Sequence, residues 1–428
     1  MIESTSSTPS GDALHNDPRV AAARQRLDRL DGFLREDPGN NALLIDAFET
    51  ALSCGEWERA EFHLKHAQAL QTDALAWRLR EGDFWLAQQR YDEALGVLEA
   101  LNGTPNPPPG FPDVLLHNLA FIELRRGRFA ACVERLAPTL DSQASADSTG
   151  LAPTHPPVAA RALQQLWLRA LHHEVQLDRA MAWTAGVERR GLLDPQAAGV
   201  ASLVAIDADD FPAAQRWAAL SLSNGGPDDP PPPEAFVTQA SLALAARDSE
   251  QARGFADAAL QRHPGDGRAW STRGFAALLA NDLTGASDAF RRALAAMGQH
   301  IGTWHGQGWT QILQGQLAEA RRSFETAVEL DRNFGESHGG LAVVLAMQGE
   351  REQAQAQAEL ALRLDKANVS GRYAQALLSG DIKDAKDLQR LARRLLGGRS
   401  AALGGDMGKM FAEAGAPDAD APPGGDGN

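Results

Sequence analysis

The sequence predicts an all-α protein made of repeated helix pairs, and three observations lead to this fold class. Residues of the same type recur every 34 positions in the C-terminal half. Within each such stretch, two segments with the apolar spacing of an amphipathic helix flank a short turn. Only 6% of the 428 residues are aromatic and alanine is abundant, which favours helices packed through small side chains.

The repeat is clearest in the C-terminal half, where five columns of residues share one spacing. The columns are Trp270 and Trp304; Gly274 and Gly308; Phe290 and Phe324; Ala286, Ala320 and Ala354; and Ala293, Ala327 and Ala361. In the second helix of one unit, Ala286, Phe290 and Ala293 lie at i, i+4 and i+7 and therefore share a face. Because a pair of short helices cannot bury both its faces alone, we expect neighbouring copies to stack.

The small residue that opens the second helix recurs through the whole repeat region. It occupies nine positions: Ala60, Ala94, Cys132, Ala180, Ala214, Ala252, Ala286, Ala320 and Ala354. Successive steps along this column are 34, 38, 48, 34, 38, 34, 34 and 34 residues. The three longer steps coincide with the inserted segments Asn106–Pro109, Asp141–Pro157 and Pro227–Pro233. Proline and small polar residues do not continue a helix, so these insertions are predicted to be loops.

These residues and spacings resemble the tetratricopeptide repeat, whose 34-residue pattern runs W-x2-L-G-x2-Y, then A-x3-F, then P. The resemblance covers residues 18 to 396 and weakens in the middle, where Thr184, Ala218 and Ser221 replace larger consensus residues. It implies a right-handed helical-repeat solenoid, a superhelix of nine helix-turn-helix units with a concave inner groove.

The expected domain organisation places the repeats between two disordered tails. An N-terminal tail (1–16), a capping helix (17–40), units 1–3 (41–140) and an inserted loop (141–157) come first. Degenerate units 4–5 (158–232), units 6–9 (233–368), C-terminal capping helices (369–398) and an acidic tail (399–428) follow. Both tails contain too little apolar surface to offset the entropy of ordering.

The charge of the chain limits the classes of partner. With 56 acidic and 41 basic residues the formal net charge is −15, which argues against nonspecific binding to nucleic acid or to an anionic membrane. No apolar run approaches the ~20 residues that span a bilayer, and the N-terminus has no signal-peptide pattern. We therefore expect a cytoplasmic protein without membrane insertion.

No pattern of catalytic or metal-binding residues stands out. His63 and His66 share a helix face but lack further ligands at a recognised spacing, and are expected at the surface or rim. Cys132 belongs to the small column, where a cysteine packs as a small hydrophobe. Gly306 and Gly308 lack the third glycine and the preceding strand of a dinucleotide-binding loop. We expect no enzymatic activity, no metal and no cofactor.

The resemblance also implies where a partner would bind. In this family the groove is lined by the second, fifth, ninth and twelfth positions of each first helix. In the C-terminal half these positions predict a partner-binding set of Arg268, Ser271, Phe275, His305, Trp309, Ile312, Val343 and Tyr373. Some family members clamp a carboxylate with lysines, arginines and asparagines; apart from Asn118 and Arg268, that set is missing here. A hydrophobic or amphipathic partner segment is expected instead.

The predicted function is a noncatalytic scaffold, adaptor or chaperone that holds a partner protein or peptide in the groove. Two alternatives stay open: a regulatory or specificity subunit of a separate modifying enzyme, and a cytoplasmic-side component of a secretion or pilus assembly machine. Within the groove, Trp309 is expected to be exposed to a partner, whereas Trp304 is expected to stabilise the fold because it belongs to a repeated column. The oligomeric state does not follow from the sequence.

Overall fold

The computed structural model describes residues 18–71, 73–144, 158–226 and 229–380, and within these ranges it contains twenty α-helices and no strand. The predicted tails (1–16 and 399–428) lie outside the described residues, as do residues 145–157 of the predicted inserted loop and the second C-terminal capping helix. Residues 141–144 were predicted to begin that loop but are helical, because the preceding helix continues to Ala144. The described residues fall into two compact units, 18–204 and 205–380. All-α architecture is thus confirmed.

Ten helices begin in the N-terminal unit. They are α1 (Pro18–Glu36), α2 (Asn41–Ser53), α3 (Trp57–Leu70), α4 (Ala74–Ala87), α5 (Tyr91–Glu99), α6 (Phe111–Arg125), α7 (Phe129–Ala144), α8 (Val158–His173), α9 (Leu177–Arg189) and α10 (Pro195–Asp207). The boundary between the two units falls within α10, between Val204 and Ala205.

Ten further helices form the C-terminal unit. They are α11 (Phe211–Asn224), α12 (Pro233–Ala245), α13 (Ser249–Arg262), α14 (Gly267–Leu279), α15 (Leu283–Ala296), α16 (Ile301–Leu313), α17 (Leu317–Leu330), α18 (Gly335–Met347), α19 (Arg351–Leu364) and α20 (Val369–Ser379). From α2/α3 to α18/α19 the described helices form nine pairs, and α1 and α20 flank them. These pairs and their spacing confirm the predicted resemblance to tetratricopeptide repeats.

One left-handed residue ends the first helix of every pair. Its φ lies between 55° and 84° at each of nine positions: Gly55, Gln89, Gly127, Val175, Asp209, Arg247, Asn281, Gly315 and Gly349. This conformation closes a helix C-terminus and turns the chain into the next helix. Glycine adopts it freely, whereas a β-branched residue such as Val175 is strained there.

Side-chain caps start many of the helices. In each case the capping side chain accepts a hydrogen bond from the backbone N–H three residues later; the caps are Asn40, Asp210, Asp248, Asp266, Asp282, His300 and Asn368. A cap satisfies one of the backbone donors that the first turn leaves free. The helix boundaries are therefore encoded locally.

The two helices of a pair meet through the small column. All nine residues of that column are fully buried. Opposite them, a Cβ added to Gly274 would come within 2.7 Å of the Phe290 ring, and one added to Gly308 within 2.7 Å of the Phe324 ring. Gly274 of α14 and Gly308 of α16 therefore serve helix packing.

A ring nitrogen at the fourth position of three first helices ties consecutive pairs together. Nε1 of Trp270 donates to the Pro264 carbonyl and Nε1 of Trp304 to the Gly298 carbonyl, both at 2.7 Å. His338 replaces tryptophan in this column, and its Nε2 bonds to the Arg332 carbonyl at 2.9 Å. Each bond joins a first helix to the turn that follows the preceding second helix.

The turn column gives a stability prediction. Replacing Val175, which is 76% exposed, with glycine removes left-handed strain of about 1–2 kcal/mol and adds unfolded-state entropy of about 0.5–1 kcal/mol. We expect Val175→Gly to raise the free energy of unfolding by about 0.5–1 kcal/mol in urea denaturation. The reciprocal control, Gly315→Val, should lower it by about 1 kcal/mol or more. A Val175→Gly protein no more stable than the parent contradicts the strain assignment.

Candidate functional site

Four of the eight residues predicted to line the groove are buried. Ser271, His305, Trp309 and Val343 each lie at the fifth or ninth position of a first helix of the C-terminal unit, and none is more than 5% exposed. The other four, Arg268, Phe275, Ile312 and Tyr373, are partly exposed. The helices of this unit therefore use much of the predicted binding surface for their own packing.

Trp309 illustrates the correction most directly. Its side chain is 3% exposed and belongs to a core cluster with Phe324 and Val343. The Trp309 and Phe324 rings meet edge to face, with centroids 5.7 Å apart. The expectation that Trp309 is exposed for a partner is wrong, because α16 and α18 pack closely enough to bury the indole between them.

Ser271 and His305 join consecutive repeats through hydrogen bonds. The hydroxyl oxygens of Ser271 and Thr303 lie 2.9 Å apart, and Nε2 of His305 lies 2.9 Å from Oγ of Ser337. In both cases the fifth position of one first helix meets the third position of the next. The His305 ring also stacks on Phe334 at a centroid distance of 5.5 Å. Burial lowers the pKa of His305 to about 4, so the ring is neutral at pH 7.

His300 also bonds to Thr303, and it lies close enough to Arg268 to feel its charge. Its Nδ1 accepts hydrogen bonds from the backbone N–H of Thr303 at 3.2 Å and from the Thr303 hydroxyl at 2.8 Å. Burial, and secondarily the positive charge of Arg268, lower the pKa of His300 to about 4. A protonated Nδ1 could not accept either bond, so the neutral ring is the form that caps α16.

The two residues that match a carboxylate clamp already bind carboxylates of this chain. Arg268 forms two hydrogen bonds with Asp207, at 3.1 and 2.8 Å. The amide of Asn118 donates to Oδ1 of Asp83 at 2.8 Å. A partner's carboxylate would have to displace these internal acceptors.

An apolar surface remains open at the C-terminal ends of three first helices. Leu313, the last residue of α16, is 42% exposed, and Met347, the last residue of α18, is 45% exposed. Together with their partly exposed neighbours they form a set that we call the apolar stripe: Phe275, Leu279, Ile312, Leu313, Ala346 and Met347. The three helices that carry the stripe are neighbours, because α14 contacts α16 and α16 contacts α18.

The thirteenth position of the first helix was missed from the sequence. Leu279, Leu313 and Met347 recur there at the 34-residue spacing, so the repeat itself contains the signal. The sequence alone did not reveal that Trp309 and Val343, at the ninth positions of α16 and α18, are covered by packing while the ends of these helices stay open. Phe275 and Ile312 are the predicted residues that the structure joins to this stripe.

The N-terminal unit carries polar groups at the corresponding positions. Glu49 of α2 accepts from Arg80 of α4 at 3.3 Å, and Asp83 of α4 accepts from Asn118 of α6. Aligned on the small column, Glu49 and Asp83 correspond to the ninth position of α16, and Arg80 and Asn118 correspond to its sixth position. Burial raises the pKa of Asp83 to about 6, against the opposing effect of the Asn118 hydrogen bond. Such a carboxylate is a candidate functional group.

Two other candidates from the sequence are buried. His63, expected at the surface or rim, is buried between α1 and α3, where Nε2 lies 3.0 Å from Oδ1 of Asp31; burial lowers the pKa of His63 despite that carboxylate. The prediction for His63 was wrong because α1 covers it. Cys132 is fully buried, and burial raises the pKa of its thiol to about 12.

Metal-binding clusters and membrane-spanning helices are both absent from the described part of the chain. Across these ranges, no three histidine, cysteine, aspartate or glutamate side chains are grouped as a metal site requires. None of the described helices combines the length and the apolar character needed to cross a membrane.

Comparison with known proteins finds similarity only among solved structures. One is the APC/C hetero-tetramer Cut9–Hcn1 (12% identity, 82% of this chain and 77% of that chain, TM-score 0.39). Another is a thermophilic TPR protein of Thermus thermophilus (18% identity, 44% of this chain and 100% of that chain, TM-score 0.36). A third is YrrB, a TPR protein with an unusual peptide-binding site (20% identity, 38% of this chain and 84% of that chain, TM-score 0.30). No protein-family model and no curated protein matches.

The burial of Trp309 reverses the expected effects of two substitutions. Trp309→Ala leaves a large cavity in the core, so we expect the free energy of unfolding to fall by about 3–5 kcal/mol. Trp304 is only partly buried, and Trp304→Ala should cost about 1–2 kcal/mol for its packing and its hydrogen bond. Chemical denaturation followed by circular dichroism measures both. If Trp304→Ala is the more destabilising change, the packing described for α16 is incorrect.

Proposed function

We propose that this protein is a noncatalytic interaction scaffold, and that its C-terminal unit binds an apolar or amphipathic segment of a partner protein on the apolar stripe. The single observation that carries the proposal is the row of exposed apolar side chains on consecutive first helices, ending in Leu313 and Met347. Contiguous exposed apolar surface of this kind is typical of protein interaction sites.

The charge distribution supports an apolar partner. Helix α16 contains no aspartate, glutamate, lysine or arginine, and α18 contains only Glu336. Glu336 is engaged by the hydroxyl of Ser370 and by Nδ2 of Asn368, the latter at 3.0 Å. Because few charged groups would have to lose water, covering this surface carries a small desolvation penalty.

The side chains of the stripe suit a partner whose sequence varies. Neighbouring first helices are about 8–10 Å apart in such packing, so the stripe can receive successive apolar side chains of one extended or helical segment. Methionine is flexible and adapts to different shapes, whereas Leu313 and Phe275 provide more rigid contact area. A central anchor residue in an interface contributes about 2 kcal/mol or more.

The identity of the partner decides among three versions of this role. A single client segment supports an adaptor or chaperone; a stoichiometric catalytic chain supports a regulatory subunit; and a membrane-machine component supports an accessory role in secretion or pilus assembly. We also propose a cytoplasmic location, and this proposal rests only on the composition of the chain.

The experiment compares copurification by three forms of the tagged full chain. A double variant, Leu313→Asp with Met347→Asp, places two charges on the apolar stripe. Leu364→Asp is the matched control, because Leu364 is 39% exposed at the end of the second helix α19. We expect a stoichiometric partner, identified by mass spectrometry, to be retained by the wild type and the control and lost from the double variant.

Direct titration with the purified partner should show at least a hundredfold loss of affinity for the double variant, corresponding to about 2.7 kcal/mol. Circular dichroism and melting of all three proteins must agree within a few degrees, so that a loss of binding is not a loss of fold. Equal partner affinity in the double variant and the Leu364→Asp control contradicts the assignment of the stripe.

A further inference from the structure

The carboxylate of Asp83 lies on the first helix α4, and its only hydrogen bond within the described chain comes from the uncharged amide of Asn118. An ionised carboxylate can accept about four hydrogen bonds. Oδ1 takes the bond from Asn118, while Oδ2 accepts none from any described residue. One oxygen of a partly buried acid therefore has free acceptor capacity.

The nearest cationic side chain, Arg80, bonds to a different carboxylate. Arg80 lies on the same helix as Asp83, but its Nη2 bonds to Glu49 on α2 at 3.3 Å and its guanidinium lies over the Trp77 ring at 5.4 Å; its buried Nε has no hydrogen-bond partner among the described residues. It lowers the pKa of Asp83 only as a secondary effect, and burial prevails. A buried negative charge without a bonded cation is unfavourable, so the fold leaves this charge only partly compensated.

The position of Asp83 is fixed by neighbouring helices. Asn118 is buried on α6, and its Oδ1 lies 3.1 Å from Nδ1 of His117. The His117 ring stacks on Phe121 at a centroid distance of 6.2 Å. The amide therefore presents Nδ2 to Asp83 in a defined orientation, and the carboxylate is held in place without a ligand.

Apolar and aromatic residues occupy the same faces of these helices. Leu79 lies four residues before Asp83 on α4, Ile45 four residues before Glu49 on α2, and Phe121 four residues after His117 on α6; all three are partly exposed. A carboxylate with apolar and aromatic neighbours suits a long cationic side chain, whose methylenes contact the apolar groups while its head reaches the acid.

We propose that Asp83, positioned by Asn118, binds the lysine or arginine side chain of a peptide segment, which makes the first helices of the N-terminal unit a second binding site of different chemistry from the apolar stripe. The ligand's ammonium or guanidinium group donates to Oδ2 of Asp83. The site does not depend on the stripe, because it lies on α4 and α6 and uses no residue of the C-terminal unit.

The charge balance around the site favours a cation over an anion. The charged groups that act on Asp83 are Glu49 from α2 and Arg80 from α4, while His117 of α6 lies against Asn118, the residue that bonds to Asp83. The carboxylates of Asp83 and Glu49 together oppose the one guanidinium of Arg80. An incoming cation therefore completes the pairing, whereas an incoming carboxylate would add a third negative charge beside a buried one.

The test uses a phage library of random twelve-residue peptides, panned on the full-length protein, on Asp83→Asn and on Asp92→Asn. Both variants lose one negative charge. Asp92 lies on α5, the second helix of the same pair, with its side chain 82% exposed, so it controls for general attraction of basic peptides to an acidic protein. We expect lysine or arginine to be enriched at one peptide position with the wild type and Asp92→Asn, and not with Asp83→Asn.

The strongest peptide is then titrated against the three proteins, together with a version whose selected cation is replaced by glutamine. Asp83→Asn should lower the affinity for the cationic peptide at least tenfold and leave the affinity for the glutamine peptide unchanged. Asp92→Asn should change the affinity for either peptide by less than threefold. Identical peptide preferences and affinities for wild type and Asp83→Asn overturn the proposal.

Melting measurements separate binding from folding. The raised pKa of Asp83 means that the folded state holds more protons than the unfolded state between about pH 4 and pH 6. Its contribution to stability therefore falls as pH rises through this window, and the ionised acid destabilises the fold above pH 6. Asp83→Asn should melt at or above the wild-type temperature at pH 7.5, and lose this advantage below pH 4. A variant that melts several degrees lower at pH 7.5 overturns the premise of an uncompensated charge.

Discussion

The close contact between the two helices of each pair, made through one small residue, is the constraint on which the rest of the structure depends. A larger residue in the small column would push the second helix away from the first, and in two pairs the Phe290 and Phe324 rings leave no room for a side chain at Gly274 and Gly308. The small residue is fully buried in all nine pairs, so each pair can stack on a neighbour in the same way. Stacking then determines which side chains of the first helices remain free.

Packing between repeats buries several of the positions at which the family resemblance predicts contacts with a ligand. In the C-terminal unit the fifth positions Ser271 and His305 bond to the next repeat, and the ninth positions Trp309 and Val343 are buried. The C-terminal ends of α16 and α18 stay outside this packing, so Leu313 and Met347 remain exposed. In the N-terminal unit the acid Asp83 is bonded to a neutral amide. The same repeat geometry thus yields an apolar surface in one unit and a polar one in the other.

The fold could be predicted because its determinants recur. The 34-residue columns, the capping residues and the turn glycines each repeat, so chance agreement is small. The left-handed Val175 could not be foreseen from its residue type, since that position is defined by the column and not by the side chain. The burial of Trp309 depended on how closely α16 and α18 approach, which no local pattern encodes. Asp83 was missed because its environment comes from Asn118, 35 residues away.

Hydroxyl-radical footprinting with mass spectrometry tests the central claim most directly, because it reports the exposure of individual side chains in solution. Methionine can be compared with methionine and tryptophan with tryptophan, which removes differences in intrinsic reactivity. The account predicts that Met347 is oxidised much faster than Met297, which is 8% exposed, and that Trp304 is oxidised faster than Trp309. Rapid oxidation of Trp309 together with protection of Met347 would contradict it, and would return the binding surface to the ninth position of the first helix.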